Sequence, residues 1–160
     1  KKESLESAEK ALLKSIELKQ DYTEGHFLLA QVYDAKGETD EAIRRGEAAA
    51  LLAANDIGTL FQLGLLYYRS NRLADAKIVF GRAVVINDAY SNARYFLGLI
   101  YDRTGRKAEA ISEFKKIASL NPDNDEVKKI LINLRAGRGA LEALLPPAPE
   151  KRTEPPVKGN

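Results

Sequence analysis

Leu63-Gly64-Leu65-Leu66-Tyr67 returns 34 residues later as Leu97-Gly98-Leu99-Ile100-Tyr101. The same step carries Ala76 to Ala110 and Phe80 to Phe114. One step back from Leu63-Gly64 stands Leu29-Ala30, with Tyr33 where a tyrosine is due and Ala42 where an alanine is due. A fixed period of this length, held at several positions at once, marks a stack of repeated units.

A single helix pair cannot bury its apolar face, so neighbouring pairs stack to share a core. Two helices approach closely only where a side chain is small. Ala30, Gly64 and Gly98 supply that notch on the first helix of each pair, and Ala42, Ala76 and Ala110 supply it on the second. Tyr33, Tyr67 and Tyr101 fill the space one turn away. Enlarging Ala76 to Leu is expected to cost about 1–3 kcal/mol by overpacking.

These residues resemble the tetratricopeptide repeat family, whose pattern is W-x2-L-G-x2-Y, then A-x3-F, then P. The chain offers Leu60-x2-Leu63-Gly64-x2-Tyr67 with Ala76-x3-Phe80, and Arg94-x2-Leu97-Gly98-x2-Tyr101 with Ala110-x3-Phe114 and Pro122. An earlier copy, His26-x2-Leu29-Ala30-x2-Tyr33 with Ala42-x3-Gly46, departs at the tryptophan, phenylalanine and proline positions. The resemblance covers about residues 1–136. It implies an all-α, right-handed α-solenoid of helix-turn-helix repeats.

On this register, residues 1–22 read as the second helix of a partial repeat, followed by repeats at 23–56, 57–90 and 91–124. Residues 125–145 read as a capping-helix region and 146–160 as an extended Pro-rich tail. Leu5, Ala8, Leu12 and Ile16 give the opening helix one apolar face. Its outer flank is expected to lack a neighbour. Gly37, Asn71 and Gly105 mark the turns, where a left-handed residue ends a helix. Gly46 replaces a large aromatic, leaving either a local void or a closer neighbour. Asn121-Pro122-Asp123-Asn124 is a stop followed by N-cap candidates. Val127, Ile130, Leu131 and Leu134 form one helical face. Ile132 stands in the notch position, and its bulk favours a capping role. Gly139 nonetheless falls 34 residues after Gly105, so Ala140 to Leu145 is a candidate short second helix.

The chain has 160 residues and a formal net charge of +2, which gives no broad field for a phosphate backbone. Nucleic acid is therefore not an expected partner. No apolar run reaches the length of a membrane span, so direct membrane insertion is not expected either. The absence of cysteine excludes disulfides, thiolate chemistry and zinc ribbons but does not fix the compartment. The chain opens on Lys1 rather than methionine, which reads as a processed product or an excerpt from something longer.

No catalytic constellation is present. The lone His26 sits at a position of large packing residues, and one histidine without cysteine makes a poor zinc set. The acidic residues sit at helix starts, where solvated acids belong. Neither enzyme activity, a metal nor a cofactor is expected.

The resemblance implies that the second, fifth, ninth, twelfth and thirteenth positions of each repeat line a concave groove. Those positions include Phe27, Gln31 and Asp34 in the first repeat, and Phe61, Leu65, Tyr68 and Arg69 in the second. In the third they are Asn92, Tyr95, Leu99, Asp102 and Arg103, and the last helix adds Lys129 and Asn133. Phe27, Phe61 and Tyr95 form an aromatic file at 34-residue intervals, a natural anchor for an apolar strip. Arg69 and Arg103 flank it and are placed to meet a carboxylate or carbonyls. Some family members hold a peptide's C-terminal carboxylate with lysine and asparagine at the fifth and ninth positions; only Lys129 and Asn133 match that here.

These readings point to a non-enzymatic interaction scaffold whose partner is an amphipathic helix or an extended apolar peptide. Two alternatives stand beside it. One is head-to-tail self-assembly, because the chain opens on a second-type helix and closes near a first-type helix. The other is the C-terminal region of a larger protein, since the stretch from Ile130 to Pro149 is similar to the ends of some bacterial membrane-embedded glycan ligases.

Overall fold

The computed structural model describes residues 2–144. The expectations for Leu145 and for the Pro-rich tail at 146–160 lie outside the described residues. The described part is eight helices with no strand: α1 (Lys2–Leu18), α2 (Thr23–Lys36), α3 (Thr39–Leu52), α4 (Ile57–Arg69), α5 (Leu73–Ile86), α6 (Ser91–Arg103), α7 (Lys107–Leu120) and α8 (Asp125–Arg135). Each helix packs mainly on the one before and the one after it, which makes an open stack rather than a closed bundle.

The hairpins α2–α3, α4–α5 and α6–α7 close with one device. Gly37, Asn71 and Gly105 take φ values of 80°, 59° and 76°. Their amides donate to Asp34, Tyr68 and Asp102 carbonyls, and the next amide donates back to Tyr33, Tyr67 and Tyr101. Orphaned carbonyls at the helix end are thus satisfied within the turn. Two first-type helices also carry a side-chain cap. Asp56 accepts from the Thr59 amide at 2.7 Å, and Asn124 accepts from the Val127 amide at 3.0 Å.

The small-residue notches meet large rings. A β-carbon on Gly64 would stand 2.5 Å from Phe80 Cε1, and one on Gly98 would stand 2.5 Å from Phe114 Cε2. Ala42, Ala76 and Ala110 are fully buried. In the first hairpin Gly46 stands where a phenylalanine stands in the others. Leu63 and Leu66 of α4 move in, so that a β-carbon there would lie 3.2 and 3.3 Å from their Cδ1 atoms. Both sequence alternatives are met in part: the neighbour comes close, and a small cleft remains.

Position four of each repeat is buried by different chemistry. Leu60 is fully buried among apolar residues. His26 Nε2 lies 3.2 Å from the Gln20 carbonyl, and Arg94 Nε donates to the Asp88 carbonyl at 2.7 Å. Arg94 also pairs with Glu113 at 2.6 Å and with the Asp88 carboxylate.

The two ends differ. At the start, Leu5, Ala8, Leu12, Leu28 and Val32 line an open apolar cleft between α1 and α2. At the finish, the expected turn at Gly139 is not where the helix closes. Gly137 is the left-handed residue, at φ 77°, two residues early. Its amide donates to Leu134, and the Arg138 amide donates to Asn133, repeating the closure of the earlier turns. Two residues of an α-helix are about 200° of rotation, so the chain leaves α8 on nearly the opposite side. Residues 141–144 are turns rather than the short second helix expected from Ala140 to Leu145.

Candidate peptide-docking face

The fourteen residues expected to line the inner face divide into three groups. Gln31, Arg69, Asn92, Arg103 and Lys129 are exposed. Phe27, Asp34, Phe61, Leu65, Tyr68, Tyr95 and Asp102 are half-buried. Leu99 and Asn133 are buried, each 6% exposed, which takes both off the open surface. The reason is the early turn at Gly137, which brings the following residues back over them. Ala140, Leu141 and Leu144 join the apolar cluster that contains Leu99, Leu131 and Leu134.

Two of the three rings in the aromatic file, Phe61 and Tyr95, pack against the core. Phe61 meets Phe80, Tyr90 and Phe96 with ring centroids 5.8, 5.6 and 5.9 Å apart. Tyr95 meets Phe96 at 5.8 Å and Phe114 at 5.6 Å. Edge-to-face contacts of this kind hold helices together. The hub is Phe96, which also stacks on Phe80 at 5.2 Å and meets Tyr68 at 5.2 Å. Sequence reasoning missed Phe96 because the matching positions, Leu28 and Gln62, are not aromatic.

Polar groups on this face tie consecutive repeats together. Arg69 bonds Asp34 at 2.8 Å. Arg103 bonds the Asn71 side chain at 2.8 Å and lies over the Tyr68 ring at 5.3 Å. The Tyr95 hydroxyl donates to Glu126 at 2.7 Å, joining α6 to α8. Burial, and then the Glu126 carboxylate, hold that phenol above the usual tyrosine range. Asp102 takes Lys107 at 2.8 Å on one oxygen and the Ala140 amide at 2.7 Å on the other. Lys129 is exposed while the Asn133 amide is committed to the carbonyls of Ala140 and Glu142, so the two do not stand ready as a carboxylate clamp.

Between α2, α3 and α4 the missing aromatic at Gly46 leaves a cleft that opens on the inner face. Ala30, Gly46, Leu63 and Leu66 form its floor, and Phe27, Gln31 and the Asp34–Arg69 pair stand around its mouth. Its enclosed space is about 20 Å³, room for about one water or one methyl group.

A stack of antiparallel helix hairpins with this notch pattern defines a helical-repeat solenoid. Residues 61–125 match the tetratricopeptide repeat family. Among solved structures, MamA superposes with a TM-score of 0.77 at 24% identity, over 85% of this chain and 80% of that one. YrrB, described as a repeat protein with an unusual peptide-binding site, superposes with a TM-score of 0.75 at 23% identity, over 89% of this chain and 75% of that one. Likeness at this level of identity speaks for the fold. Anaphase-promoting complex subunit 3 of Schizosaccharomyces pombe is 39% identical over 49 residues, which is 31% of this chain and only 7% of that much longer protein.

Proposed function

We propose that this chain is a protein-interaction scaffold that takes a peptide segment of a partner on its inner face, centred on the first two repeats. The observation that carries the reading is the cleft beside Phe27, where Gly46 withholds the side chain that fills the same place in the later hairpins. A shallow apolar pit with an ion pair at its rim suits a single methyl group of an aliphatic side chain, with Arg69 and Gln31 in reach of the peptide's main chain or a carboxylate. The half-buried edges of Phe27, Phe61 and Leu65 extend the apolar strip. The fold supports the reading, since one similar structure, YrrB, is described by its peptide-binding site.

The test is to select peptides from a display library on the full chain and measure the affinity of the best one. Phe27→Ala and Gln31→Arg are expected to weaken it about tenfold or more, as truncated anchors do. Ile78→Ala, on an exposed part of α5, is expected to leave it unchanged. Equal loss in all three variants, or none in any, removes the assignment.

A further inference from the structure

At the end of the third repeat, Asp102 on α6 and Asn133 on α8 hold a segment of the chain itself. Residues 139–144 do not continue the stack. The Ala140 amide donates to Asp102 Oδ2 at 2.7 Å. The Asn133 side-chain amide donates to the Ala140 carbonyl at 3.2 Å and to the Glu142 carbonyl at 2.7 Å. Lys107 donates to the Arg138 carbonyl at 2.6 Å while paired with Asp102, so the carboxylate stays neutralised where it accepts the amide. Ala140 is 1% exposed, and only a small side chain fits beneath that turn.

All the polar contacts that Asp102 and Asn133 make to the segment are to main chain. Such a set recognises a backbone, with selectivity only for a small residue at the Ala140 place and aliphatic residues after it. We propose that Asp102 and Asn133 form a main-chain recognition site on α6 and α8, closed in cis by residues 139–144, and that a partner reaching this end of the inner face must displace that segment. The occupant is thus a named part of this chain, and the competing ligand is an unstructured peptide with a small residue followed by aliphatic ones. This deepens the docking reading and rests on it only in taking the inner face as the binding face.

Amide hydrogen exchange on the full wild-type chain tests the closure. The Ala140 amide is expected to exchange about tenfold or more slowly than in a free peptide, and Asp102→Ala to remove that protection while α4 and α5 keep theirs. An unprotected Ala140 amide in the wild type overturns the closure. Ala140→Asp, which sets a carboxylate against Asp102, is expected to expel the segment. Binding of the apolar dye ANS should then rise about threefold at unchanged far-ultraviolet helicity. A synthetic peptide of residues 137–144, in excess, should lower that signal by about half. No rise in dye binding, or a rise that the peptide leaves untouched, overturns the recognition site. Protection at Ala140 together with peptides that ignore Phe27 and Gln31 would keep the closure and remove the docking reading. The opposite pattern would do the reverse.

Discussion

Phe80 lies against the backbone of Gly64. A β-carbon there would stand 2.5, 2.7 and 2.8 Å from three atoms of the ring. The ring cannot swing away, because it is fully buried, stacked on Phe96 and packed against Phe61. Replacing a mid-helix glycine by alanine ordinarily gains about 0.5–1 kcal/mol. At Gly64 the overpacking, about 1–3 kcal/mol, outweighs that gain, so Gly64→Ala is expected to lower stability. Gly81 is the control. It lies within α5 with nothing within 4 Å of its would-be β-carbon, so Gly81→Ala is expected to raise stability by about 0.5–1 kcal/mol. Urea denaturation of the two variants reads the opposite signs.

Arg94 and Glu113 form an ion pair with side chains 9% and 18% exposed. One repeat earlier the same two positions hold Leu60 and Val79, both buried and apolar. Arg94→Leu strands Glu113 and is expected to cost about 3 kcal/mol. Adding Glu113→Val copies the second repeat's solution into the third. The double variant is expected to recover most of the loss or to exceed the wild type, as buried ion pairs replaced by packed apolar residues often do. A double-mutant cycle in denaturant measures the coupling.

Asp56 accepts the Thr59 amide, and a side-chain hydrogen bond from Thr59, followed by this amide contact, holds its carboxyl below the usual range. A depressed folded value means that the stabilisation is present above the unfolded carboxylate value, about 3.9, and is lost as pH falls through the folded one. Asp56→Ala is expected to cost about 1 kcal/mol at neutral pH. The gap between it and the wild type should close below about pH 4. Asp56→Asn should keep the cap at every pH.

The phenols of Tyr67 and Tyr95 are held above their usual range, in each case by burial first and then by the carboxylate they donate to, Glu47 and Glu126. A raised folded value leaves the stabilisation intact below the ordinary tyrosine value of about 10 and removes it as pH rises through the folded one. In an alkaline titration followed by tyrosinate absorbance, part of the signal from the seven tyrosines should appear late, in step with unfolding. Tyr95→Phe is expected to remove part of that late signal at a cost of about 1 kcal/mol or less.

The hairpins were legible because glycine and alanine are chosen by contact distance, and contact distance repeats with the stack. The period alone makes Gly64 and Gly98 equivalent notches and Phe80 and Phe114 equivalent rings; that each ring covers the notch is seen only in the structure. The end of the stack was not legible. Gly137 and Gly139 are equally able to take a left-handed turn, and the period favoured the wrong one. That single difference buried Leu99 and Asn133, which the repeat register had placed on the open face. The aromatic file was half legible. Its spacing was plain, but the ring of Phe96 that locks Phe61 and Tyr95 in place obeys no period.

The early turn at Gly137 also sets the direction in which such an array can grow. An engineer who wished to append further hairpins would find the exit from α8 aimed back along the molecule rather than onward. Inserting two helix-forming residues before Gly137 is expected to turn that exit by about 200°, toward the path taken after α6. Until then, the segment after α8 acts as a terminator written into the spacing of two glycines.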